Sequence, residues 1–441
     1  MSSLIKSQPE QSAIASQAAL ADPSEPKNSN SGGDRPLMLF DLSVRGHHPA
    51  YIQHLIQYFI HEALPGRLVI VVSPRFLIEH SEVVEIAQQA APERVQFQAI
   101  SQAEVDRLGG RKTAYQRLRR TFREWQLLRK YAQALQAQHC VALYLDTCLR
   151  PLTVSQPLPC PVSGIYFRPT FHYSTFAQHP IQSQEPLQRW WEQGLLWLIG
   201  QRSQLHTVFS LDPFAVPQLN RLLRQSKAVH LPDPVALEKA PSERVQELHA
   251  ALGIEADRTV ALIFGALTHR KGVPQLLEAI AELSAADCQK LCLLLVGESN
   301  LEQQLEARIA TLTAQKPIQI LRHYEFVPEA DVAAYFQLAD LVMAPYQRHV
   351  GMSGILLQAA AAGKPVLSSD YGLMGELVNR YQLGLAVDST QPAALAQGLH
   401  QMLNQPLVTF GDRAQMRTFA EQNSAQQFAK VIFQRLLSTS V

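Results

Sequence analysis

Short apolar runs alternate with helix-patterned stretches along nearly the whole chain, and this alternation narrows the fold more than any other feature. In the first half the runs are LMLFDL (37–42), LVIVVS (68–73), VQFQAI (95–100), VALYLD (141–146), VSGIYF (162–167) and HTVFSL (206–211). In the second half they are TVALIFG (259–265), KLCLLLVG (290–297), IQILRHY (318–324), LVMAPY (341–346), PVLSSD (365–370) and LGLAVD (383–388). Between them lie helical patterns such as VPQLLEAIAEL, EADVAAYFQLA and PAALAQGLHQML. That alternation predicts parallel βα units. The 441 residues exceed what one hydrophobic core holds. The expected fold class is therefore α/β, with two doubly wound Rossmann-like domains facing each other across a cleft. The proline-rich stretch HLPDPVALEKAPSER (231–245) reads as the hinge. The expected boundaries are 35–232 for an N-terminal Rossmann-like domain and 233–415 for a C-terminal one. Residues 416–441 should form a helix packing back towards the N-terminal domain.

Composition excludes several classes. Net charge is +1, so no bulk basic character points to nucleic acid. No run of about 18 apolar residues exists, so no membrane-spanning helix is expected. Residues 1–34, rich in Ser, Gln, Pro and Asn, read as a disordered tail and not as a signal peptide. Cys140, Cys148, Cys160, Cys288 and Cys292 form no CxxC and no metal-ligand spacing. Such a sparse set suggests reduced thiols and a cytoplasmic chain.

Ligands in doubly wound sheets sit beyond the carboxyl ends of the strands, so the loops there hold the candidates. The segment HVGMSGILLQAAAAGKPVLSSD (349–370) reads as loop, helix, tight stop and buried strand. Ser353 can cap the helix, Gly354 admits a ligand close to the backbone, and Gly363 stops the helix. The free amides of Gly351, Met352, Ser353 and Gly354, with His349 beside them, suit an anion at a helix start. In FGALTHRKG (264–272), Gly265 precedes the basic pair Arg270 and Lys271. Cations at a helix N-terminus oppose its dipole, so this pair invites an anionic partner. Gly297 ends a buried strand, and Phe326 with Val327 precedes a helix where a nucleobase can stack; ordinary βα turns look the same.

In the N-terminal half, DLSVRGHHPAYIQHLI (41–56) gives Gly46 a tight turn and opens a helix with His47 and His48. Either histidine can donate to a phosphate or an acceptor hydroxyl, or merely cap the helix. Arg168 and His172 end the strand in IYFRPTFHY, where a surface pair flanking a proline turn is the plainer alternative. Asp146 can orient an acceptor hydroxyl or cap the next segment. Residues 107–130, RLGGRKTAYQRLRRTFREWQLLRK, form a basic amphipathic helix. It reads either as a contact for an anionic membrane surface, making the protein peripheral, or as a core helix with a solvated basic face. Trp190, Trp191 and Trp197 read as packing.

Taken in order, FGALTHRKG, LLLVGES, FVPEADVAAYFQLADLVMAPY and SGILLQAAAAGKPVLSSDYGLMGELV resemble a glycosyltransferase of the GT-B fold, most closely the retaining family 4. The resemblance covers about residues 255–435 well and the N-terminal half loosely. It implies a nucleotide-diphosphate sugar as co-substrate, no cofactor and, without a DxD motif, no essential metal. The acceptor would be a glycan, lipid or small molecule. Retention is implied too, with the departing phosphate as base. The family's diphosphate-binding lysine matches Lys271; its arginine falls on Ala266, so Arg270 is the candidate substitute. The family's two glutamates fall on Val350 and Gln358, eight positions apart. Gln358 can still bond a ribose hydroxyl, whereas Val350 cannot replace a carboxylate. The family's N-domain histidine falls near Phe167 or Arg168, with His172 as a candidate substitute. The missing glutamates also admit a non-catalytic scaffold or sugar-nucleotide sensor, and the architecture admits a sugar-nucleotide epimerase.

Overall fold

The computed structural model describes residues 35–110, 113–173, 176, 185–224 and 227–438. The expected tail (1–34), Arg111 and Lys112 of the basic segment, and the last residues of the expected terminal helix lie outside the described residues. The chain divides into two compact units. One takes the described residues up to Phe167, Trp190–Leu231 and those from Ala429 onward; the other takes those in Arg168–Arg189 and Pro232–Phe428.

The first unit is built on β1 (Leu37–Phe40), β2 (Leu68–Val72), β3 (Val95–Ala99), β4 (His139–Ala142), β5 (Val162–Tyr166), β6 (Leu205–Ser210) and β7 (Ala228–His230). They form a parallel 7-stranded sheet in the order β3-β2-β1-β4-β5-β6-β7. Leu37 is in register with Leu68 on one side and His139 on the other. Strand order therefore reverses between β1 and β4. Right-handed crossovers then fix the layers. Helices His48–His61 and Ser81–Ala90 serve strands running one way and cover one face. Helices Ala114–Ala134, Leu149–Val154 and Glu185–Gly200 serve strands running the other way and share the opposite face. Phe433 packs against Tyr58 at 6.0 Å and Phe59 at 5.7 Å between ring centroids.

The second unit holds β8 (Thr259–Phe264), β9 (Leu291–Val296), β10 (Gln319–His323), β11 (Leu341–Ala344), β12 (Val366–Ser369) and β13 (Gly384–Val387). Its parallel 6-stranded sheet runs β10-β9-β8-β11-β12-β13, so the reversal falls between β8 and β11. The four inner strands β9, β8, β11 and β12 bury nearly every side chain, as strands covered on both faces must, while the edge strands β10 and β13 are mostly half-buried. Ile263, Leu293, Met343 and Leu367 meet Leu276, Leu305 and Leu399 of the flanking helices in one core.

Every apolar run read as a strand forms one, with four differences of detail. β7 was not expected, because three residues before a proline carry little pattern. β4 stops at Ala142, short of the expected 146, and Asp146 lies on a 3-10 turn, Leu145–Thr147. The expected hinge is partly helical, since Ser242–Leu252 begins inside it. The terminal segment is two helices, Arg413–Gln422 and Ala425–Leu437, parted at Asn423. The Asn423 side chain donates to the Phe419 carbonyl (2.8 Å) and accepts from the Asp233 amide (3.1 Å). Its own carbonyl accepts from Val235 at 2.9 Å. That binding site for residues 233–235 is what a continuous helix could not provide.

Candidate functional site

In the second unit the chemistry gathers at the carboxyl ends of β8 and β11, where the strand order reverses. After β8 the chain turns at Gly265 (φ 90°), then makes a 3-10 turn, His269–Lys271. This turn brings Lys271 back beneath the strand ends. Its side chain is buried, 4% exposed. The ammonium donates to the Phe264 carbonyl at 2.6 Å and to the Tyr346 hydroxyl. Phe264 closes β8 and Tyr346 follows β11, so the cation bridges the two strands of the reversal. Burial pushes the Lys271 pKa down, and the Tyr346 oxygen opposes that shift. An ammonium has three donors and two are committed here. A buried charge with a donor in hand gains from an anionic oxygen.

Arg270 lies on the exposed side of the same ring. Its guanidinium stacks over Tyr346 at 5.1 Å, and Nη1 meets His349 Nδ1 at 3.2 Å. Arginine can only donate, so His349 Nδ1 accepts and Nε2 keeps the proton. That proton is donated to the Met352 carbonyl at 3.2 Å. Burial pushes the His349 pKa down to about 4; Arg270, Lys271 and Arg168 add to the shift against the Met352 carbonyl. His349 is thus a neutral strut that positions Arg270.

Gly351 (φ 95°) then turns the chain towards helix Gly354–Ala361. Ser353 stands at the N-cap position and is buried, but its hydroxyl makes no capping bond, contrary to expectation. No side chain closes the first turn, which leaves its N–H groups and the positive dipole end for an anion. The far end stops as expected. Gly363 (φ 66°) donates to the Ala360 carbonyl and Lys364 to that of Ala359, a Schellman closure. Gln358 lies half-buried one turn along the helix. Gly297 is a packing glycine: a Cβ there would lie 2.6 Å from the Gly265 carbonyl oxygen. Phe326 is exposed and Val327 buried, so of that pair only Phe326 offers a ring face.

The segment after β5 adds a residue that sequence reasoning missed. Tyr173 is buried, and its hydroxyl accepts the Gly351 amide at 2.9 Å. A Cβ on Gly372 would come within 2.7 Å of the Tyr173 ring, so glycine there is a steric need. His172, expected to face a ligand, is buried instead, with its ring edge-on to Phe171, Tyr173 and Phe176. Arg168 is exposed, and its charge reaches His349.

In the first unit, the reversal between β1 and β4 carries the opposite charge. Asp41, just past β1, is buried; its carboxylate accepts the Ser43 amide at 2.8 Å and meets His48 Nδ1 at 2.6 Å. A carboxylate only accepts, so that contact puts the proton on Nδ1 of His48. Gly46 (φ 74°) makes the expected turn. His47 begins the helix without a side-chain cap and stacks on Phe167 at 5.5 Å and Tyr51 at 5.1 Å. Asp146 accepts the Phe167 amide at 2.9 Å, fixing the loop under that ring. Asp41 and Tyr346 were not singled out in the sequence, although each sits at the end of a run that was. Among the described residues, no group of three His, Cys, Asp or Glu side chains is placed to hold a metal.

The family model described as glycosyl transferases group 1 matches residues 244–423. The 2-deoxystreptamine glucosyltransferase of Streptomyces kanamyceticus is 23% identical over 278 residues, covering 60% of this chain and 68% of its own length. The D-inositol 3-phosphate glycosyltransferase of Jonesia denitrificans is 25% identical over 224 residues, and the match covers 50% of each chain. A protein of Anabaena, solved with UDP and glucose, shares the fold with a TM-score of 0.61 at 16% identity, covering 92% of this chain and 100% of that one. Residues 244–423, where Lys271, His349 and the open helix start all lie, match the glycosyl transferases group 1 model, and the chain has a GT-B fold.

Proposed function

We propose that this glycosyltransferase moves a sugar from a nucleotide-diphosphate donor to a glycan, lipid or small-molecule hydroxyl, with retention and without an essential metal. The observation that carries the reading is Lys271: a buried ammonium set between the carboxyl ends of β8 and β11, with one donor to spare. The diphosphate lies on Lys271, Arg270 and the amides of Met352 to Gly354. As the bond from sugar to phosphate breaks, charge grows on the departing phosphate, and these cations and the helix dipole stabilise it. The phosphate itself takes the acceptor proton, so no carboxylate pair is required. Gln358 bonds the ribose and Phe326 stacks on the base. In the first unit, Gly46, His47 and the Asp41-held His48 receive the acceptor. Family and relatives favour transfer over the sensor and epimerase alternatives.

The test is calorimetry with UDP, GDP and ADP, followed by turnover of their sugars with and without EDTA. UDP comes first because the Anabaena neighbour was solved with it. Expected is binding of one diphosphate and EDTA-insensitive turnover, both lost in Lys271→Ala. Unchanged affinity in that variant sinks the assignment. The reading also includes peripheral contact with an anionic membrane through residues 107–130. Co-sedimentation with anionic vesicles at low salt, lost at high salt, checks it. Among the described residues no helix is long and apolar enough to cross a membrane.

A further inference from the structure

Helix Glu185–Gly200 turns an apolar stripe outward, against the expectation that its tryptophans pack. Trp190 and Trp191 are each 66% exposed, Trp197 46% and Leu198 49%. Residues 190 and 197, like 191 and 198, lie two turns apart, so all four share one face. Gly194 sits in the middle of that face, with nothing within 4 Å of where its Cβ would stand. On the other side Leu196 and Ile199 are fully buried. The helix therefore fills the core with one apolar face and shows a second to solvent.

A basic helix lies in the same layer. Ala114–Ala134 shares the sheet face with the tryptophan helix by crossover handedness, and both are tied to the segment between them. Trp125 Nε1 donates to the Gln156 carbonyl at 3.3 Å and Arg129 to that of Pro157 at 3.2 Å. Arg202, just past the tryptophan helix, donates to the Thr153 carbonyl. At its start the basic helix exposes Arg117 and Arg119 together with Tyr115 and Leu118, and Val154 is exposed between the two helices.

We propose that this layer of the first unit docks on an anionic bilayer, with Trp190, Trp191, Trp197 and Leu198 entering the headgroup region and Arg117 and Arg119 facing lipid phosphates. Indoles settle at that depth because one edge is polar and the body apolar. Lying flat, the stretch from Trp190 to Leu198 offers about 12 Å of stripe to the interface. An anionic surface answers both the arginines and the indoles; a second copy of the chain answers the indoles alone. The proposal rests on the membrane reading of residues 107–130 but gives insertion to a different helix.

The chain reports on itself. Of its 4 tryptophans, Trp125 is 2% exposed and the other three line the stripe. The full chain is mixed with vesicles of phosphatidylcholine, alone or with about one third phosphatidylglycerol, and followed by flotation and emission. Expected with the anionic vesicles is a blue shift, quenching by brominated lipid, and roughly tenfold weaker partition for Trp190→Ala/Trp191→Ala. Arg117→Glu/Arg119→Glu weakens partition too. Flotation without a shift or quenching overturns the proposal and leaves contact through 107–130 standing. A shift that grows with protein concentration in the absence of lipid, with doubled mass, overturns it in favour of self-association. No flotation removes both membrane readings, while UDP calorimetry reports separately on the second unit. Quenching in the parent chain decides the matter if the double variant fails to fold.

Discussion

Each strand-order reversal holds a histidine, and the two histidines have partners of opposite sign. His48 Nδ1 meets a carboxylate oxygen of Asp41 at 2.6 Å; His349 Nδ1 meets a guanidinium nitrogen of Arg270 at 3.2 Å. The partner sets the tautomer. Asp41 holds the proton on Nδ1 of His48. Arg270 drives the proton of His349 to Nε2, where the Met352 carbonyl engages it. One histidine carries its proton on Nδ1 and the other on Nε2. The charge of the next residue, more than the histidine itself, decides which role it takes.

The largest expected effect tests the cationic side. Lys271→Ala should lower turnover by about 10²–10³-fold, since it removes a preorganised charge from the leaving phosphate. Lys271→Met, which keeps the stem, should lose as much; activity near that of the parent would mean that packing was the residue's role. Next comes pH. The unfolded chain binds a proton at His349 near the ordinary imidazole value of 6.5, but the native chain resists it down to about 4. Between those values the unfolded state holds more protons, so stability falls as pH drops through that window, by up to about 3 kcal/mol, and levels off below it. Urea midpoints at pH 7 and 4.5 should differ less in His349→Gln than in the parent. An equal difference would show that His349 protonates freely in the native chain.

A smaller effect tests the anionic side. Asp41→Asn should slow transfer about 10–100-fold with donor affinity unchanged, because an oriented imidazole loses its orienter. A matching loss of donor affinity would break the contrast between the units. Smallest is Tyr173→Phe, which leaves the buried Gly351 amide without its hydroxyl and should cost about 1 kcal/mol in chemical denaturation.

The strand ends on either side of each reversal were legible because apolar runs and the glycines after them mark them, whereas the strand order was not. Lys271, Arg270 and His349 stood in those loops and do meet there. Their companions were harder to see for a physical reason. Tyr173 and Gly351 are 178 positions apart, and no local pattern links them. Cys140 and Cys160 come within 3.3 Å as free thiols only because β4 and the loop before β5 lie side by side. The tryptophan helix misled for a different reason. It is apolar on two faces, and periodicity cannot say which of them the core takes. His172 looked like a ligand group because it follows a strand end, yet surrounding aromatic rings claim its position.

Asn423 sets a rule for what can follow. One side chain gives a proton to the Phe419 carbonyl and takes one from the Asp233 amide. Only a carboxamide does both from neighbouring atoms. Conversion of this residue to aspartate, whether by mutation or by slow deamidation, would set a carboxylate oxygen against a carbonyl with the outline of the side chain unaltered. The joint between the last two helices is thus guarded by chemistry rather than by shape.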